Sequence, residues 1–112
     1  MAFRITPAHD ASIQIDFEVP IKGRQKPVTF SVPKIDYIAP ETLEEYRRWF
    51  GVEVEANRAT ERNCTLKLLE LTKARNYDLL AKLTDGELME INRHWKDASR
   101  VDVGESSASS DS

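Results

Sequence analysis

The chain has a single cysteine, Cys64, so no internal disulfide can staple it and packing alone must hold the fold, as in a reducing cytoplasm. Histidine is scarce too, with His9 and His94 the only two. His9 has only its neighbour Asp10 beside it, and adjacent residues make neither a charge relay nor a metal site. His94 falls on the polar side of a helical pattern, within reach of Glu90 at i,i+4. No phosphate loop, zinc spacing or dinucleotide fingerprint occurs. A catalytic residue, a metal site and a cofactor are therefore not expected. No apolar run approaches the roughly 20 residues of a membrane span. Met1 to Pro7 carries no apolar leader core, so the expected location is the cytoplasm and no membrane partner is implied.

Positive charge is not in excess either. Lys and Arg number 16 against 19 Asp and Glu, for a net charge of −3. Every Lys and Arg precedes residue 101, and Asp102, Glu105 and Asp111 supply the acidic surplus. A neutral body lacks the broad positive field that nucleic-acid binding needs. The local exception is Lys22, Arg24, Lys26 and Lys34, read as a loop kept solvated by charge.

What is present suits one small domain. The 112 residues are 40 % hydrophobic and 31 % charged, ordinary globular values. Ile13, Ile15, Phe17 and Val19 alternate with polar residues, as do Val28, Phe30 and Val32, and a proline follows each run. They predict a β-hairpin over about 13–33. Helices are predicted over about 40–50, 57–73, 76–82 and 84–99. The first opens at Pro40 with Leu43, Tyr46 and Phe50 inward and stops at Gly51. The second carries an inner stripe of Cys64, Leu68 and Leu71, with Leu66 and Leu69 on its other side. The fourth starts at a capping box, Thr84 to Glu87, and turns Leu88, Ile91, Trp95 and Ala98 to the core. The expected fold is α+β: a hairpin, a bundle of about four helices over residues 1–100, and a flexible Ser-rich acidic tail over 101–112.

Binding is better supported by the residues than catalysis. Trp49 lies beside the first helix's inner stripe, while Leu66 and Leu69 lie behind the second's. Large apolar groups off the main core face mark candidate partner-binding positions. Cys64, on an apolar stripe with no base near it in sequence, reads as a small core residue.

Phe30-Ser31-Val32-Pro33-Lys34, Trp95-Lys96-Asp97-Ala98-Ser99 and Val103-Gly104-Glu105-Ser106-Ser107-Ala108-Ser109 carry a resemblance that covers most of the chain. In these segments and their order, the chain resembles the short tail assembly chaperones of siphophages that infect actinobacteria. The resemblance implies a non-enzymatic protein of the host bacterium's cytoplasm that coats the tape measure protein before the tail tube forms. It implies a longer companion, made by programmed frameshifting near Gly104, Glu105 and Ser106, whose extra domain recruits the tail tube protein. Residues 101–112 would then be a joint reaching on the order of 19 Å. Self-association is a further expectation, through Trp49, Leu66 and Leu69 or a strand edge. The nearest competing class is an adaptor for another helical partner; a nucleic-acid binder using the Lys22–Lys34 loop is opposed by the neutral body, and a hydrolase or transferase by the lack of a base with a partner.

Overall fold

The computed structural model describes residues 1–108, with side chains described for 1–100. It is the expected α+β arrangement, a two-stranded antiparallel hairpin followed by four helices. Strands β1 (Gln14–Val19) and β2 (Val28–Pro33) pair in the register Phe17↔Phe30 and Val19↔Val28. Lys34 N–H donates to the Ile13 carbonyl at 2.8 Å, which extends the ladder by one bonded pair. Bonded and non-bonded pairs alternate in antiparallel sheets, so Ile15, Phe17 and Val19 exchange hydrogen bonds with β2 while Asp16 and Glu18 aim their backbone outward. Short 3-10 turns at Ala11–Ile13 and Ile35–Tyr37 flank the hairpin and were not foreseen.

The helices are α1 (Pro40–Glu55), α2 (Glu61–Leu71), α3 (Tyr77–Leu80) and α4 (Asp85–Ala108). Three of these bounds correct the sequence reading. Helix α1 passes through Gly51 to Glu55, and two residues on Asn57 adopts the left-handed conformation at φ 64°. There Asn57 N–H donates to Val54 and Arg58 N–H to Glu53, closing the last carbonyls. The asparagine, not the glycine, is the stop. Helix α2 begins only at Glu61, because Thr60 is the cap and its hydroxyl accepts from Asn63 N–H at 3.1 Å. Helix α4 runs past the expected end at Ser99. The flexible tail expected over 101–112, with Gly104, Glu105 and Ser106, falls outside the residues whose side chains are described.

Gly51 has open space around the position a Cβ would take, and its φ is not positive. Gly51→Ala should therefore raise stability by about 0.5–1 kcal/mol, read as a higher midpoint in urea. Destabilisation would mean that the helix does break at this residue.

The core lies between the hairpin's inner face and α2, α3 and α4. Leu88, Ile91 and Trp95 of α4 are buried, as their spacing predicts. The capping box forms as read, with Glu87 N–H donating to Thr84 Oγ1 and Thr84 N–H to Glu87 Oε1 at 2.8 Å. Trp95 Nε1 donates to the Pro33 carbonyl at 2.8 Å, and Ile35 N–H donates to Ser99 Oγ at 2.9 Å. Two residues of the Trp95–Ser99 segment thus clamp the hairpin's exit onto α4. Arg62 of α2 donates to the carbonyls of Leu83 and Ala81, which fixes the loop that leads into α4.

Candidate partner-binding surface

Helix α1 has no buried residue along its whole length. A helix in that position still needs one face against the body, and α1 supplies it through aromatic rings. Tyr46 and Trp49 lie half-buried towards α2, their rings 5.7 Å apart, and Lys67 of α2 sets its ammonium 5.9 Å from the centre of the Trp49 ring. The Tyr46 hydroxyl interacts with Cys64, and burial together with that contact pushes its pKa up to about 12. Cys64 is half-buried against this phenol, so it sits at the α1–α2 seam rather than in the central core.

The row Leu43, Tyr46, Phe50, Val54 keeps the 3-4-4 spacing of one helical stripe, but its burial fades along the helix. Leu43 packs on the core, whereas Phe50 is 41 % exposed and Val54 51 % exposed. Phe50 was expected inside. It stacks on Tyr46 at 6.2 Å between ring centres and turns its other face outward. Val52, between Phe50 and Val54 in the chain, is 61 % exposed, so the last turns of α1 keep their apolar residues open. A reading that ended the helix at Gly51 had no place for Val54 in the stripe.

The expected trio divides. Trp49 and Leu66 meet, lining an open depression of about 330 Å³ together with Glu53, Lys67, Glu70 and Tyr77. Leu69 does not join them. It is 0 % exposed in the central core, so it cannot receive a partner in this conformation. The inward face of α2 is Thr65 and Leu69, not Cys64, Leu68 and Leu71. Leu66 and Leu68 flank that face and pack against the core from either side. The rim of the depression is held by Arg58, whose guanidinium donates to both oxygens of Glu53 at 2.9 and 3.0 Å. That fork lowers the Glu53 pKa and raises that of Arg58.

Comparison with protein-family models, curated proteins and solved structures found no match to this chain.

A second depression, of about 790 Å³, opens on the hairpin, where Asp16, Glu18, Thr29 and Ser31 face Lys73 and Arg75. Ser31 Oγ donates to the Asp16 carboxylate there. The two histidines lie elsewhere, both exposed, with His94 Nε2 4.0 Å from Glu90 as expected. No cluster of three or more potential metal ligands occurs among the described residues. No helix among them is long and apolar enough to cross a membrane. The α1–α2 depression sets Trp49, Leu66 and Tyr77 among Glu53, Asn63, Lys67 and Glu70, with the Arg58–Glu53 ion pair at its rim.

Proposed function

We propose that this chain is a tail assembly chaperone of the siphophage type, the short product of its gene. It coats the tape measure protein, and the longer frameshifted companion brings in the tail tube protein. The observation that carries the reading is the unburied apolar row of α1, Phe50 and Val54, which the Tyr46 ring joins to Trp49. A protein that must keep a long helical, apolar rod in solution needs a surface of this kind and needs no catalytic apparatus. The segment similarity through Trp95–Ser99 and Val103–Ser109 supports the same reading. In this mechanism the tape measure helix lays its apolar stripe along α1, and Trp49 and Phe50 supply rigid area at small entropic cost. Binding is reversible, because a surface this open releases its helix once the tail tube displaces it.

The gene offers the test. The codons for Gly104, Glu105 and Ser106 should form a run of repeated bases on which a ribosome slips. An overlapping frame should continue past Ser112 for a domain's length, with a very long helix-rich gene just downstream. A gene with no overlapping frame, set among metabolic genes, would overturn the proposal.

A further inference from the structure

The two strands of the hairpin are unequally covered. On β2 the inward residues Val28, Phe30 and Val32 are all buried, and two carbonyls of its outer edge are taken. The Thr29 carbonyl accepts from Asn76 Nδ2 at 2.9 Å, and the Pro33 carbonyl accepts from Trp95 Nε1. On β1 the inward residues Ile15 and Phe17 remain half-exposed. Among the described residues nothing bonds the outward N–H and C=O groups of Asp16 and Glu18. The sheet stops one strand short on that side, with an open ladder beside two apolar residues that are only partly covered.

The same chain carries a segment of matching pattern. Met1, Phe3 and Ile5 alternate with Ala2, Arg4 and Thr6, the period of a strand with one apolar face. Phe3 is 87 % exposed and Ile5 80 % exposed, far beyond what a segment in contact with its own domain would show. Asp10 N–H donates to the Pro7 carbonyl at 3.0 Å, and Ser12 N–H donates to Asp10 Oδ1 at 2.8 Å. Gln14 Nε2 reaches the Ala8 carbonyl at 3.5 Å. These bonds set the turn over residues 7–14, and residues 1–6 stand exposed before it.

We infer that residues 2–6 of one copy add as a third strand to the free edge of β1 in a second copy. Phe3 and Ile5 then cover Phe17 and Ile15 on the inner face. Arg4, on the opposite face, comes beside Asp16 and Glu18. Charge chooses this pairing over its rival, since two β1 edges meeting each other would set acid against acid. Main-chain hydrogen bonds supply affinity, and the apolar pair sets the register.

The experiment is sedimentation of the full chain over a range of concentrations, with amide exchange on the same samples. The expected result is a mass that rises above the monomer with concentration. Replacing both exposed arm residues, Phe3→Asp with Ile5→Asp, should weaken association by about tenfold or more without changing the circular dichroism. Arg4→Glu should weaken it too, and adding Glu18→Arg should restore it. A wild-type chain that stays monomeric throughout would overturn the inference, as would an arm variant that associates like the wild type. Protected Asp16 and Glu18 amides in a monomer, lost in the arm variant, would place the arm on its own edge and equally overturn it. The chain is tested alone, so neither result depends on the chaperone reading.

Discussion

Trp95→Ala should leave a chain that is largely unfolded or close to it at room temperature. Trp95 is 1 % exposed at the meeting point of α4 and the hairpin. Removing a buried Trp side chain costs about 3–5 kcal/mol in lost burial and residual cavity. The Pro33 carbonyl also loses its donor, a further cost of about 1 kcal/mol. Small domains have only about 5–15 kcal/mol in all, so this one change removes much of the margin. Trp95→Phe separates the two contributions, because it keeps most of the volume and forfeits only the hydrogen bond. Urea unfolding followed by circular dichroism reads both. A cooperative transition near the wild-type midpoint in Trp95→Ala would show that α4 does not clamp the hairpin through this ring.

Leu66→Glu and Leu69→Glu should behave in opposite ways, although the residues are three apart on one helix. Leu69 is fully buried, and a carboxylate there either loses its hydration or must be protonated, at a cost of several kcal/mol. That variant should unfold. Leu66 lines the open depression beside Trp49, where a carboxylate keeps its water. Its variant should retain helical content and lose only partner binding. The double replacement of Leu66 and Leu69 therefore unfolds the chain and says nothing of binding. Two folded single variants would put Leu69 outside the core and contradict the packing described above.

This contrast marks where the sequence was legible. The two strands and their inward faces followed from alternation and the closing prolines. The α4 cap and core stripe followed from Thr84, Glu87 and the spacing of Leu88, Ile91 and Trp95. The phase of α2 did not. Leu66, Leu68, Leu69 and Leu71 allow two stripes, and the inner one includes Thr65, a polar residue that pattern alone sends outward. Only packing against α4 decides between them. The end of α1 was misplaced for a related reason. Gly51 is the commoner stop signal, while the left-handed Asn57 and the Arg58–Glu53 fork act through geometry formed after folding. Of the candidate surface, Trp49 and Leu66 were legible as apolar groups off the core stripe. Phe50 and Val54 became part of it only because α1 is longer than expected. A strand edge was expected as a route to self-association, but which of the two strands keeps a free edge had no sequence signal.

The claim at the centre of this account is that the open face of α1 receives an apolar helix. The direct measurement is the soluble fraction of a tape measure segment co-expressed with this chain, compared with the double variant Phe50→Asp with Val54→Asp. Both residues are exposed, so the variant should fold as the wild type does. The account predicts that the wild-type chain keeps the segment in solution as a complex and that the variant, at equal helical content, lets it precipitate. A segment that precipitates equally beside the wild type, or stays bound to the variant, would contradict it.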